Sequence, residues 1–179
     1  MDRENRGEAL VKAVRQDNQP GIIIEAVAAG SAFRQIDPHR YRVDPREESH
    51  YLELFKSLKE TGAEPVTIIH LWNLCRPDSG RPQPGWYQQV LDTGYYSLLS
   101  IARAIGRQDI TAAIQLEVVT DGMQSVAGEP LDYPEKAAVL GPIKIIPQEY
   151  PNIKCRSVDV VWPGPGTPAA ELLVRQLYQ

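Results

Sequence analysis

Apolar positions along this chain follow two periods in alternation. In residues 7–17, GEALVKAVRQD, Leu10, Ala13 and Val14 share one face of a predicted helix. Residues 21–27, GIIIEAV, form a continuous apolar run behind a glycine, the pattern of a buried strand, and a short strand is predicted at 41–44, YRVD. Tyr51, Leu54, Phe55 and Leu58 trace an amphipathic helix that Gly62 closes. VTIIHLW (66–72) reads as the next buried strand, followed by the proline- and glycine-rich loop RPDSGRPQPG. A long helix is predicted from Trp86, with Leu91, Tyr95, Leu98, Ala102 and Ile105 on one stripe. Beyond it come a strand at 114–119, a largely helical stretch at 134–149, a strand at 155–161 and a last helix at 168–177.

Strands separated by helices predict βαβ units and a mainly parallel sheet covered on both faces, because strands buried on both sides lose their in–out alternation. The expected fold is α/β and Rossmann-like, in three layers. The 179 residues fit a single domain spanning 1–179. A fold of this kind should open with a strand, whereas MDRENR leads straight into a helix, so the first strand is expected either to be missing from the N-terminus or to come from elsewhere.

Composition narrows the function classes. The net charge is −4 and the basic residues are scattered, without the basic stripe of a nucleic-acid surface. No apolar run approaches the ~20 residues of a membrane span, and the start has no signal-peptide core, so a cytoplasmic chain without nucleic-acid or membrane partners is expected. Cys75 and Cys155 have no CxxC partner and are expected as free thiols. His39, His50 and His70 fall in three segments without the i,i+4 spacing of a helical zinc site, so no metal site is predicted.

Several segments carry candidate chemistry. GPGTPA (164–169) satisfies G-x-G-x-x-A, but Pro165 and Pro168 remove two of the amide donors a pyrophosphate would need. YPNIK (150–154) has the Tyr-x-x-x-Lys spacing of short-chain dehydrogenases. That chemistry requires Tyr150 and Lys154 one helical turn apart, ~6 Å along a helix against ~13 Å when extended. Pro151 biases Tyr150 away from helical geometry, and the segment runs into a strand. There is no G-x-S-x-G, and Cys75 has no histidine placed beside it in sequence to activate it. Asp121, in VVTDGMQ, follows a strand end where catalytic acids sit, although an Asp-Gly turn explains it equally. IIHLWNLC (68–75) places His70 and Trp72 at a strand tip, either as a reaction centre or as the close of a core strand with His70 hydrogen-bonded to backbone.

In order, IIHLWNL (68–74), DTGYYSLLSIARAIG (92–106), LEVVTDGMQSVAGEP (116–130), AAVLGPIKIIPQEYPNIKCRSVDV (137–160) and the closing ELL resemble the ketoreductase region of modular type I polyketide synthases. More narrowly, they resemble its N-terminal structural subdomain, over about Gly7 to Leu173. The resemblance implies a truncated Rossmann-like scaffold with no catalytic, cofactor-binding or metal-binding residues of its own. NADPH and phosphopantetheine would belong to neighbouring domains. The implied partner is the catalytic ketoreductase half of the same polypeptide, with an acyl carrier protein reached indirectly. His70 and Trp72 fall on the family's HLW position and are expected to be structural. The family normally has an apolar strand ahead of the segment matching DRENRGEAL. Two other readings remain: a free-standing nucleotide- or NAD(P)-binding enzyme using Asp121 and the GPG loop, or a scaffold serving an inserted methyltransferase or enoylreductase module.

Overall fold

A computed structural model describes residues 26–74, 82–125, 128 and 131–160. The predicted helices at 7–17 and 168–177, the GPGTPA loop, Cys75 and most of the 21–27 strand lie outside the described residues. The strands β1 (Ala26–Ala29), β2 (Arg34–Asp37) and β3 (Arg40–Val43) form one sheet in the order β1-β3-β2. A second sheet holds β4 (Thr67–His70), β5 (Ile114–Asp121) and β6 (Ile153–Val160) in the order β4-β5-β6. β1 runs parallel to β3, and β4, β5 and β6 are all parallel; only β2 pairs antiparallel with β3. The mainly parallel α/β arrangement expected from the sequence is therefore present.

Helix α1 (Glu48–Glu60) buries Tyr51, Leu54, Phe55 and Leu58, the four positions whose spacing marked it. It ends where Gly62 takes φ 71, a left-handed conformation that costs glycine nothing. Between β4 and β5 the predicted long helix is present in three parts. α2 (Trp86–Val90) passes into a π-helical turn (Leu91–Tyr96), which passes into α3 (Ser97–Arg107). Between β5 and β6, a 3-10 helix (Pro134–Val139) continues into α4 (Leu140–Glu149), matching the helical stretch expected at 134–149.

Both sheets and the helices α1, α3 and α4 share one core. It includes Tyr41 and Val43 from β3, Leu54 and Phe55 from α1, Leu98 and Ile105 from α3, Leu116 and Val118 from β5, and Ile146 from α4. On β5 the alternation of a strand turns Ile114, Leu116 and Val118 to that core, while Val119 joins Leu74 in a smaller cluster with Ile69, Leu71, Val158 and Val160. β5 is thus covered on both faces towards its carboxyl end, where Val118 and Val119 follow one another.

Besides shifts of one or two residues at several strand ends, one strand stops early and one was not expected. The strand expected at 66–72 stops at His70, and Trp72–Leu74 forms a 3-10 turn that brings Leu74 back onto Val119. β2 has no counterpart in the sequence reading, because Arg34, Gln35 and Ile36 are all exposed and leave no apolar alternation to detect.

Candidate functional site

In a parallel sheet of this kind, ligands bind outside the carboxyl ends of the strands. Here those ends carry His70 on β4, Asp121 on β5 and Asp159 on β6, and each is engaged by other groups of the chain.

His70 is buried, and its Nε2 lies 2.9 Å from Ser97 Oγ. Ser97 Oγ also lies 2.7 Å from the Thr93 carbonyl and 3.0 Å from the Gly94 carbonyl. A hydroxyl has one proton to give, and a carbonyl can only accept. Ser97 therefore donates to the backbone and accepts from His70 Nε2–H, which fixes the imidazole tautomer. Nδ1 is left as an acceptor with no hydrogen-bond partner among the described residues. Burial pushes the His70 pKa down to about 4, so the ring is neutral at pH 7. A serine and a histidine at 2.9 Å have the outline of a nucleophile and its base. Here the serine proton points at a backbone carbonyl, both side chains are shut off from solvent, and among the described residues no third group hydrogen-bonds to the ring. The sequence reading expected His70 to bond to backbone; its partner is instead the Ser97 hydroxyl. The ring of Trp72 packs edge-on to His70, with centroids 5.6 Å apart.

The π-helical turn sits directly against this cluster. A Cβ on Gly94 would lie 2.6 Å from Asn73 Oδ1, so the glycine allows the buried Asn73 amide to lie flat on the helix. Thr93 Oγ1 donates to the Gln89 carbonyl, and Ser97 Oγ to the carbonyls noted above. These hydroxyls add side-chain hydrogen bonds to backbone carbonyls in and just before the widened turn.

Asp121, the candidate acid, ends β5 fully buried and forms an ion pair with Lys136, 2.5 Å from Oδ1 to Nζ. Lys136 also donates to the Asp121 carbonyl at 3.2 Å and stands 4.5 Å from the centre of the Tyr133 ring. Gly122 follows with φ 67, so the Asp-Gly turn is real. Trp86 Nε1 donates to Glu135, which ties the start of α2 to the same segment.

Asp159 holds the loop after β5. Its Oδ1 accepts from Thr120 Oγ1 at 2.7 Å, and its Oδ2 accepts from the backbone N–H of Met123 at 3.2 Å and of Gln124 at 2.8 Å. Consecutive backbone N–H groups after a strand are the natural donors to a phosphate. Here a carboxylate of the neighbouring strand already occupies them, and as arranged these residues do not fit a dinucleotide. Farther down the sheet Arg156 reaches across to Glu117, its register partner, at 2.6 Å.

Tyr150 and Lys154 are not brought together on a helix. Tyr150 caps α4 at φ −127 and ψ 85, as the following proline requires, and Lys154 lies in β6. The Tyr150 ring lies on Gly106 of α3, where a Cβ would come 2.6 Å from its Cε1. The tyrosine is a packing residue. Cys155 is a half-buried free thiol, raised to about 11 by burial and then by the Glu117 charge. Lys136, Ser97 and Asp159 were not singled out by the sequence reading. Each is joined to its partner across 15 to 39 residues, and no local pattern marks them.

Among the described residues, no helix is long and apolar enough to cross a membrane. A search of curated proteins gives no match. Among solved structures, the fold is similar to the adenylation, ketoreductase and pseudo-Asub multidomain structure of a keto acid-selecting NRPS module. The TM-score is 0.80 at 23% identity, over 94% of this chain and 14% of that one. It is also similar to an N-terminal ketoreductase from the macrolactin assembly line, with TM-score 0.74 and 17% identity over 95% of this chain and 34% of that one. A short-chain dehydrogenase/reductase from Brucella ovis superposes with TM-score 0.69 and 14% identity, covering 97% and 86% of the two chains. The chain thus spans about a seventh and a third of the first two proteins. At these identities the likeness establishes a Rossmann-like fold. The sequence matches the family described as beta-ketoacyl synthase-like, N-terminal, over residues 5–176, and the chain belongs to that family.

Proposed function

We propose that this chain is the non-catalytic scaffold half of a polyketide synthase ketoreductase region. It docks against an adjacent NADPH-dependent half that reduces β-ketoacyl groups carried on the phosphopantetheine arm of an acyl carrier protein. The observation that carries the reading is the engagement of the strand tips by the chain's own side chains. Asp159 holds the Met123 and Gln124 amides, Lys136 neutralises Asp121, and Ser97 holds His70. A sheet arranged in this way lends shape. Burial of apolar surface between the two halves would restrict the catalytic half to its productive arrangement. The similarity to ketoreductase-containing assembly-line structures supports the same reading.

The test is reduction of a model ketone by the catalytic half expressed with and without this chain. Reduction that depends on the chain is expected, and equal reduction without it overturns the scaffold role. The superposition on a short-chain dehydrogenase/reductase supports the second reading, an NAD(P)-binding enzyme. Calorimetric titration of this chain alone with NADPH separates the two, because micromolar binding would favour the enzyme.

A further inference from the structure

Three buried hydroxyls sit on the helical run between β4 and β5, and they divide. Thr93 and Ser97 donate to helix carbonyls four residues earlier. Ser100, 7% exposed, makes no hydrogen bond among the described residues. Buried polar groups are ordinarily bonded, so this hydroxyl marks a place where a partner belongs. Ser100 lines a groove of about 500 Å³ between the start of α1 and the run from α2 to α3.

The helical side of the groove is a stripe. Asp92, Tyr96, Ser100 and Arg103 follow at steps of four, four and three residues, with Leu99 beside them. Opposite charges are left over at its two ends. Asp92 accepts from Gln88 Nε2 at 2.7 Å and has no ion pair among the described residues. Arg46, from the α1 side, already gives Nε and Nη2 to Asp44, at 3.0 and 2.8 Å. At the other end Arg103 and Arg107 share the single carboxylate of Glu48, at 3.2 and 2.7 Å, so one positive charge is unmatched. Tyr96, 46% exposed, stands between the two ends.

We propose that this groove binds an elongated zwitterion, a small molecule with an ammonium at one end and a carboxylate at the other. The ammonium pairs with Asp92 and meets the Tyr96 ring, whose face attracts a cation. The carboxylate accepts from the Ser100 hydroxyl and from Arg103 N–H groups that Glu48 leaves free. Asp92 and Ser100 are eight residues apart, about 12 Å along a helix, and that spacing sets the length of the ligand. Around the groove Arg46, Arg103 and Arg107 are balanced by Asp44, Glu48 and Asp92, so a ligand of net charge would leave one end unmatched. The volume falls within the ~300–1,000 Å³ of small-molecule sites. His70, Asp121 and Asp159 take no part, and the proposal is independent of the scaffold reading.

The test follows backbone amide resonances of the full chain during titration with ω-aminocaprylate. Two derivatives that each lack one charge, its primary amide and its N-acetyl form, serve as controls. ω-Aminocaprylate is expected to shift Tyr96, Leu99 and Ser100 saturably, with an affinity about ten-fold or more above either control. Asp92→Asn, which still accepts from Gln88, should weaken binding about ten-fold, and Ser100→Ala about three-fold. Dispersed spectra of the two variants report that they are folded. No saturable shift, shifts spread over the whole surface, an equal response to either control, or unchanged affinity in either variant overturns the proposal.

Discussion

Lys136 Nζ lies 2.5 Å from Asp121 Oδ1, and neither side chain reaches solvent. The pair closes the tip of β5 from a helix that begins 13 residues later, so the strand end and the Pro134–Val139 segment are fastened as one unit. Removing one member leaves the other as a buried uncompensated charge. Asp121→Leu or Lys136→Met is therefore expected to lower stability by ~3–5 kcal/mol, and the Asp121→Leu/Lys136→Met double change by less than the sum of the singles. Urea denaturation of the four proteins measures this, and strictly additive losses would show that the two groups do not act as a pair.

His70 gives the fold a dependence on acid. Its pKa falls from an ordinary 6.5 to about 4 because burial disfavours the imidazolium. The unfolded chain thus binds the proton more tightly than the folded one. Stability is fully present above pH 6.5 and declines as the pH falls from there to about 4. The shift corresponds to ~3 kcal/mol over that window. His70→Gln, which cannot titrate but can still donate to Ser97, should show a flatter stability profile between those limits. Parallel profiles for the two proteins would mean that another group carries the acid sensitivity.

Gly94 is where the helix between β4 and β5 meets Asn73. An alanine there would place its Cβ 2.6 Å from Asn73 Oδ1 and 3.0 Å from Val139 Cγ1, both in tightly packed surroundings. Gly94→Ala improves helix propensity by up to about 1 kcal/mol, but crowding of a filled core costs about 1–3 kcal/mol. The net expectation is a destabilised protein. A companion Gly94→Ala/Asn73→Ala variant, which clears the clash, should recover part of the loss in thermal melts.

The sequence made legible what short-range periodicity encodes. The apolar faces of α1 and α3, the parallel β4-β5-β6 sheet and the end of α4 before Pro151 all rest on spacings of two to four residues or on one proline. β2 was not legible, because a solvated hairpin of arginine, glutamine and isoleucine carries no apolar alternation. The π-helical turn was also hidden, since its stripe of apolar residues fits an α-helix equally well. At the strand tips, Asp121 stood out by position, but its partner Lys136 did not. Lys136 sits in an ordinary helical stretch, and only the folded chain brings it across. The same holds for His70, whose serine partner is 27 residues away. Sequence spacing exposed the Tyr150–Lys154 mismatch, because there the deciding fact was the local effect of Pro151.

Asp159 supplies the most direct test of how the strand tips are organised. Its carboxylate accepts from Thr120 Oγ1 and from the amides of Met123 and Gln124, so it acts as an internal anion for the loop after β5. Hydrogen bonds to a charged acceptor contribute about 1.5–3 kcal/mol, and amides left without an acceptor fall back on water. Asp159→Ala should remove the hydrogen-exchange protection of Met123 and Gln124 while that of Leu116 and Val118, in the middle of β5, changes far less. Asp159→Asn, which keeps one acceptor oxygen, should retain intermediate protection. If both amides stay protected in Asp159→Ala, the loop is held by other contacts, and the claim that this carboxylate stands where a phosphate would sit loses its footing.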